Sequence, residues 1–144
     1  MTFSKYYAFD GATGLLKRDI GQAAVTADAY IGDQWDQGAA ASTDCIAVIN
    51  LEAVTVGAGD EVYQFVIVGS ETDDRSDAQI LGEATVGDAT AIALETVDAA
   101  AGDRVEIRFR TEKNGTRFQY VDLYLNVTGA SPSVTFNAHI SKEI

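Results

Sequence analysis

Apolar and polar residues alternate strictly over residues 104–110, in the segment RVEIRFR. A period of two is typical of a half-buried β-strand. The same alternation returns over residues 121–127, where valine or leucine occupies every second position. Between the two runs lies Asn114-Gly115, a strong signal for a hairpin turn. The pattern therefore predicts an antiparallel hairpin over residues 104–125.

The length of the turn decides which side chains of the predicted hairpin face outward. A two-residue turn would put the two apolar rows on opposite faces, because a one-residue change of register inverts every side chain. We therefore expect a three-residue loop of Lys113, Asn114 and Gly115, which pairs Ile107 with Val121. In this register the outward face carries Arg104, Arg108, Arg110, Phe118, Tyr120 and Tyr124.

The outward side chains of this hairpin allow two interpretations. Arginine and tyrosine are enriched at the centres of protein interfaces, which favours a docking surface. A solvated sheet face with cross-strand ion pairs and stacked aromatic rings would use the same residue types. Both interpretations stay open at the level of the sequence.

Short apolar runs separated by Gly, Asp and Ala fill most of the chain from residue 23 onward. They are rich in Val, Ile, Phe, Tyr and Thr, which fit a pleated and half-buried surface. The predicted strands are 23–31, 45–54, 61–69, 78–84, 90–97, 104–111, 118–127 and 133–141. Helical periodicity is not sustained, although residues 21–41 could hold a short turn of helix. About eight short strands predict an all-β, jelly-roll-like antiparallel β-sandwich.

Charge is distributed unevenly along the 144 residues, whose formal net charge is −12. The first 20 residues hold three cations and two anions, a net of +1, so the remainder carries −13. We predict an N-terminal arm at residues 1–22 and a single domain at residues 23–144. A first strand packed on its own domain is the alternative for this segment. The candidate contact residues of the arm are Phe3, Tyr6, Tyr7, Phe9, Lys17 and Arg18.

Composition and motifs argue against several classes of function. Nucleic-acid binding requires cations that release counterions from phosphates, and this chain is acidic. No apolar run approaches the roughly 20 residues of a membrane helix, so no membrane partner is expected. The lone Cys45 is expected in the core, and the single His139 lies on the polar face of its strand, without a triad signature. We expect no catalytic residues, no cofactor and no enzymatic activity.

The acidic segment ETDDRSD at residues 71–77 is a candidate calcium-binding loop. Its carboxylates could supply oxygen ligands, but their spacing does not match an EF-hand loop and Arg75 lies in the middle. The sequence therefore favours a solvated loop between strands and predicts no metal site.

Two longer segments carry a resemblance to a known family. They are YQFVIVGSETDDRSDAQILGEATVG at residues 63–87 and DRVEIRFRTEKNGTRFQYVDLYLNVTGASPSVTFNAHIS at residues 103–141. Over roughly residues 45–141 the chain resembles the jelly-roll capsid cement, or decoration, proteins of tailed bacteriophages. The shared features are patterns of strands and turns, and residues 1–22 are longer than in the shortest family members.

The resemblance implies a non-catalytic β-sandwich on the outer capsid surface of the virion, made in the host cytoplasm during assembly. It implies binding to the phage major capsid protein and bridging of neighbouring capsid subunits. It also implies a small homo-oligomer, with a dimer favoured over a trimer.

Two other classes of function remain as alternatives. A carbohydrate-binding β-sandwich would use exposed tyrosines and Trp35 to stack on sugar rings. A hydrolase built on a jelly roll is the third reading, although a single histidine disfavours a metal-dependent version.

Overall fold

The computed structural model describes residues 7–8 and 14–143 and consists of two antiparallel β-sheets packed face to face. Its strands are β1 (Tyr7–Ala8), β2 (Leu16–Arg18), β3 (Ala29–Ala41), β4 (Asp44–Val54), β5 (Val62–Ser70), β6 (Gln79–Gly87), β7 (Arg104–Arg110), β8 (Glu112–Lys113), β9 (Thr116–Thr128) and β10 (Val134–Glu143). The predicted all-β sandwich is confirmed. In the part of the chain described here, no helix is long and apolar enough to cross a membrane.

The order of strands in the two sheets is that of a jelly roll. Sheet A has the order β1-β10-β4-β7, and β2 also pairs with β10; sheet B has the order β3-β9-β5-β6, with β8 pairing with β9. β1 and β2 follow the same edge of β10 and act as one interrupted edge strand. Counted in this way, each sheet has four positions, and the chain switches sheet at most connections.

The connections gather at two opposite ends of the sandwich, which follows from the antiparallel pairing. One end, here called the loop end, contains residues 19–28, 55–61, 88–103 and 129–133. The other, here called the terminal end, contains the turns at 42–43, 71–78 and 111–115. β1 and β10 also meet there, because Tyr7 pairs with Glu143.

The core lies between the inner faces of the two sheets, where alternate residues of each strand point inward. Tyr63, Phe65 and Phe136 are fully buried, and the rings of Phe65 and Phe136 meet edge to face with centroids 5.1 Å apart. Cys45 is also in this core, as predicted, and burial raises the pKa of its thiol to about 12. A thiol with this pKa stays protonated at neutral pH and acts as a small apolar side chain.

Six of the predicted strands are confirmed, whereas the strand predicted at 23–31 begins six residues too early and ends ten residues too soon. β3 begins at Ala29 and continues to Ala41, through a segment that the sequence offered as a turn of helix. Gly32 and Gly38 have positive φ, and the register of β3 shifts near both of them. These bulges interrupt the period of two, which is why the sequence pattern missed the second half of the strand.

The strand predicted at residues 90–97 is wrong, because this segment is a loop. Its backbone is held by carboxylates: the amide of Thr90 donates to Asp88 Oδ1 at 2.8 Å, and the amide of Ala89 donates to Asp98 Oδ1 at 2.8 Å. Apolar residues such as Leu94 give this segment the sequence pattern of a strand, but no neighbouring strand pairs with it.

The predicted hairpin over residues 104–125 is also wrong, because β7 and β9 lie in different sheets. Ile107 pairs with Ala47 of β4 and not with Val121. The chain crosses between the sheets at the buried Thr111, whose hydroxyl donates to the carbonyl of Ala41 at 2.6 Å. The apolar rows of β7 and β9 therefore face the same core from opposite sheets, and the two strands share no outer face.

The turn itself differs from the three-residue loop that the sequence predicted. Lys113 pairs with Thr116, which leaves only Asn114 and Gly115 between the short strand β8 and β9. Their φ angles of 52° and 84° are those of a type I′ turn.

The sandwich begins before residue 23, so the predicted domain boundary is too late. Leu15 is fully buried and β2 pairs with β10. β2 also lies so close to β3 that a Cβ on Gly32 would be 2.2 Å from the carbonyl oxygen of Lys17. Residues 14–18 of the predicted arm are therefore part of the domain, whereas residues 1–6 and 9–13 lie outside the described residues.

Candidate docking surfaces

The three arginines of β7 are exposed together on the outer face of sheet A, here called the arginine face. Arg104, Arg108 and Arg110 alternate with side chains that enter the core, as the sequence predicted. Their neighbours across β4 on this face are Asn50, for Arg104, and Ile46, for Arg108. Cationic head groups thus lie beside a partly apolar strand.

The ion pairs of the arginine face are exposed to solvent and therefore weak. Arg104 Nε lies 3.1 Å from Glu106 Oε1, and Arg110 Nε lies 3.5 Å from Asp44 Oδ1. The side chains of Arg104 and Arg110 are 58% and 61% exposed. Pairs this exposed contribute at most about 1 kcal/mol each, so these guanidinium groups can exchange partners at little cost.

The aromatic residues expected beside these arginines are elsewhere. Phe118 is fully buried, and a Cβ on Gly69 would lie 2.9 Å from its ring. Tyr120 and Tyr124 are half-buried on the outer face of sheet B, on the opposite side of the sandwich. Phe118, Tyr120 and Tyr124 therefore do not share a surface with the arginines, because β7 and β9 belong to different sheets.

The outer face of sheet B contains a buried charge pair that the sequence analysis missed. Asp122 is 1% exposed, and both of its oxygens accept from Arg75: Nε to Oδ2 and Nη2 to Oδ1, each at 3.0 Å. Gln34 Nε2 also donates to Asp122 Oδ2 at 2.9 Å. The hydrogen bond to Asp122 is the main cause that raises the pKa of Arg75. A carboxylate at the centre of an apolar strand was the signal in the sequence.

Two tyrosines extend this charge pair along the face. The Arg75 guanidinium lies 4.0 Å from the centroid of the Tyr30 ring, and Tyr30 meets Tyr124 edge to face at 4.9 Å. Cation–π and edge-to-face contacts of this kind fix the orientation of all three side chains. Arg75 thus stabilises the outer face of sheet B.

Lys17 belongs to the same charge cluster and is not a contact residue of an exposed arm. It is 3% exposed, and its Nζ donates to the carbonyls of Asp33 at 2.7 Å and Val121 at 3.3 Å. Burial lowers the pKa of Lys17 to about 8, against the opposing attraction of Asp122 and Asp33.

Among the remaining candidates of the N-terminal segment, the structure describes the side chain of Arg18. Arg18 is half-buried, donates to the carbonyl of Ala23 and lies 5.0 Å from the centroid of the Phe136 ring. Only the backbone of Tyr7 is described, in β1. Phe3, Tyr6 and Phe9 lie outside the described residues.

Sheet B also carries an open groove of about 290 Å³ on its outer face, here called the tyrosine groove. Its lining combines aromatic rings, aliphatic side chains and amides: Tyr30, Gln64, Val66, Val68, Ala78, Gln79, Ile80, Tyr124 and Asn126. Trp35 is absent from it, because this side chain is 4% exposed and packs in the core. The predicted role of Trp35 in stacking on sugars is therefore wrong.

The acidic turn at residues 71–78 uses its carboxylates for its own backbone. Asp77 accepts from the amide of Glu71 at 3.0 Å, and Asp74 accepts from the amide of Ser76 at 2.9 Å. Hydrogen bonds lower the pKa of both aspartates: for Asp74 the main one comes from the Thr72 hydroxyl, followed by the Ser76 amide, and for Asp77 it comes from the Glu71 amide. Over residues 14–143, no group of three or more His, Cys, Asp or Glu side chains could hold a metal ion.

His139 is half-buried on the outer face of sheet A, on the polar side of its strand as predicted. Burial, followed by repulsion from Arg104, lowers the pKa of His139. The imidazole is therefore neutral at physiological pH, and it contributes no charge to the arginine face.

No protein-family model matches the chain, and no curated protein matches it.

Proposed function

We propose that this protein is a non-enzymatic capsid cement protein. It binds the outer surface of a bacteriophage capsid, on the virion, and stabilises contacts between major capsid subunits. The observation that carries the proposal is the arginine face, where Arg104, Arg108 and Arg110 are displayed on one side of a molecule with a net charge of −12. The jelly-roll order of the strands supports it, since that fold is the one that the sequence resemblance implies.

The distribution of charge suits a protein made in many copies. A strongly negative body keeps free copies apart in solution before assembly. Arg104 and Arg110, whose ion pairs and hydrogen bond to Ser42 are exposed, can turn to carboxylates of a partner and bind them through two hydrogen bonds. Each contact is weak, but an oligomer that engages several capsid subunits makes later contacts effectively intramolecular. A homodimer, or else a homotrimer, is part of this proposal.

The first experiment asks whether the chain binds capsids at all. Virions of the phage that encodes this sequence should contain the chain at near-stoichiometric copy number, measured by quantitative mass spectrometry. The purified protein should also co-sediment with capsids that lack it. A chain that is absent from virions and does not co-sediment would overturn the proposal.

A double variant then tests the arginine face. Replacing Arg104 and Arg110 by alanine should weaken capsid binding by about tenfold or more, because interface arginines often contribute over 1 kcal/mol each. The matched control replaces Lys113 and Arg117, which are also exposed cations and lie in the β8–β9 hairpin. The control removes the same charge and should change affinity by less than about threefold.

The tyrosine groove favours a second candidate function, carbohydrate binding. The rings of Tyr30 and Tyr124 can pack against the apolar face of a sugar, and the amides of Gln64, Gln79 and Asn126 can hydrogen bond to its hydroxyls. Glycan-array binding that is lost in Tyr124→Ala, without affinity for capsids, would favour this function over the first.

A further inference from the structure

The loop end is the most acidic part of the molecule. Its four loops contain no lysine, arginine or histidine, and they hold eight carboxylates: Asp19, Asp28, Asp60, Glu61, Asp88, Glu95, Asp98 and Asp103. The net charge of −12 therefore divides into −8 for the loop end and −4 for all other residues. Six of these carboxylates are exposed, whereas Glu61 and Asp88 are buried. A field this concentrated attracts a cationic surface and repels an acidic one.

The same end displays the most exposed large apolar side chains of the described residues. Leu94 is fully exposed, Val97 is 75% exposed and Ile20 is 72% exposed, whereas the next on the scale, Ile80 on sheet B, is 49% exposed. Single exposed apolar residues are common, but Leu94 and Val97 belong to one loop, whereas Ile20 lies in the β2–β3 loop. Two such side chains in one loop favour an interaction surface there.

The loop that carries Leu94 is anchored at its base. Thr90 Oγ1 donates to the carbonyl of Gly59 at 3.0 Å, and the amide of Ala99 donates to the carbonyl of Gly87 at 2.9 Å. Leu94 itself has a φ of 70°, which a bulky residue rarely adopts and glycine adopts freely. The loop therefore presents a leucine where the backbone alone would favour glycine.

A cleft of about 190 Å³ opens in the same loop. Val86, Ile92 and Val97 supply aliphatic walls, and three carboxyl-bearing residues also line the cleft: Glu95, Asp98 and Asp103. This combination suits a lysine or arginine side chain, which buries its methylene groups against apolar walls and directs its cationic head group to carboxylates.

We propose that the loop end docks on a basic protein surface, with a lysine or arginine of the partner in the cleft and Leu94 in an apolar pocket. The partner rests on the proposed function: it is the capsid shell, and the loop end is a second contact with it besides the arginine face. Charge complementarity selects this occupant. A second copy of the chain is disfavoured, because a two-fold contact would bring two sets of carboxylates together.

The central test measures binding to capsids by variants of the exposed leucine. Leu94→Gly should weaken binding by about tenfold or more, while the thermal midpoint stays the same or rises, because glycine relieves the positive φ. The matched control, Leu16→Gly, removes an exposed apolar side chain from β2 and should leave affinity within about twofold. Glu95→Lys should weaken binding further and reduce its dependence on salt.

The outcomes separate the two proposals. Wild-type protein that does not bind capsids overturns the proposed function. Wild-type protein that binds, with Leu94→Gly and Glu95→Lys binding equally well, overturns the role of the loop end alone. Conversion of a wild-type oligomer to a monomer by Leu94→Gly would also overturn it, because the occupant would then be a second copy.

A titration with arginine amide tests the cleft without a capsid. Amide chemical shifts should change most at Glu95, Asp98 and Asp103 and should saturate. Equal changes at the acidic turn 71–78 would contradict a specific site for a cationic side chain, because they would reflect general attraction to carboxylates.

Discussion

Arginine is used differently on the outer faces of the two sheets. On sheet B, Arg75 donates to both oxygens of Asp122, a carboxylate that is 1% exposed, and its guanidinium covers the ring of Tyr30. On sheet A, Arg104 lies beside Glu106, and Arg110 lies beside Asp44 and donates to Ser42 Oγ at 2.7 Å; both arginine side chains lie mostly in solvent. The first arrangement fixes a position, whereas the second leaves the guanidinium groups accessible.

This difference changes which cations are worth considering as contact residues. A guanidinium that satisfies a buried carboxylate cannot leave it without exposing an unpaired charge to the interior. A guanidinium in an exposed ion pair loses little when it changes partner. Arg75 and Lys17 are therefore engaged within the domain, whereas the exposed Arg104 and Arg110 are able to engage a partner.

The largest effect is expected when the buried carboxylate is removed. Asp122→Ala should lower the free energy of unfolding by roughly 3 to 5 kcal/mol, because Arg75 and the buried Lys17 both lose their nearby anion. Urea denaturation measures this change. Asp122→Asn keeps the shape of the side chain and should cost less; equal stability of Asp122→Ala and wild type would show that the face of sheet B does not depend on this pair.

The second prediction concerns pH. Lys17 has a folded pKa of about 8 against 10.5 for an ordinary lysine, so the unfolded chain binds more protons between these values. The free energy of unfolding should therefore rise with pH from about 8 to 10.5, by a total of about 3 kcal/mol, and the contribution is unfavourable at lower pH.

Lys17→Met should remove this rise, which is read from urea denaturation at a series of pH values. Burial also raises the pKa of Tyr63, but that group titrates in both proteins, so the difference between variant and wild type isolates Lys17. Lys113→Met changes an exposed lysine and should leave the slope as it is. A slope that survives in Lys17→Met would contradict the buried position of this amine.

A smaller effect is expected at Tyr30, whose ring contacts the guanidinium of Arg75. Tyr30→Leu should destabilise the domain by about 1 kcal/mol, because it removes the cation–π contact with Arg75 and the edge-to-face contact with Tyr124. Tyr30→Phe keeps both contacts and serves as the control. Equal denaturation midpoints for the leucine and phenylalanine variants would show that the ring contributes only apolar area.

The smallest effect on stability is expected on sheet A. Replacing Arg104 and Arg110 by alanine should change the free energy of unfolding by no more than about 0.5 kcal/mol per residue, because both ion pairs are exposed. The same variant should lose capsid affinity, as described above. A loss of more than about 2 kcal/mol in the free energy of unfolding would show that Arg104 and Arg110, like Arg75, stabilise the fold.

The sequence was sufficient for the class of fold because alternation is a local property. Strands such as β4, β5 and β10 follow from a period of two within ten residues. Long-range pairing is different: Ile107 faces the core in the predicted hairpin and in the structure, yet its partner is Ala47. Inward and outward positions can be predicted in this way, whereas the assignment of a strand to a sheet depends on where the chain crosses.

The candidate surfaces were predicted only in part, for a related physical reason. The exposure of Arg104, Arg108 and Arg110 follows from the alternation of their own strand. The pairing of Arg75 with Asp122 joins residues 47 positions apart and depends on how the acidic turn folds over sheet B. Leu94 carried a misleading signal, because an apolar side chain in a loop has the same sequence pattern as one in a strand.

The pairing of β1 with β10 has a practical consequence for engineering. β10 runs from the loop end to the terminal end, and Tyr7 and Glu143 are opposite each other there. A fluorescent protein or an antigen joined after Glu143 would therefore project from the side opposite Leu94. If the loop end contacts the capsid as proposed, the fused protein would face the solvent around the particle. The contact surface at the loop end would then remain accessible.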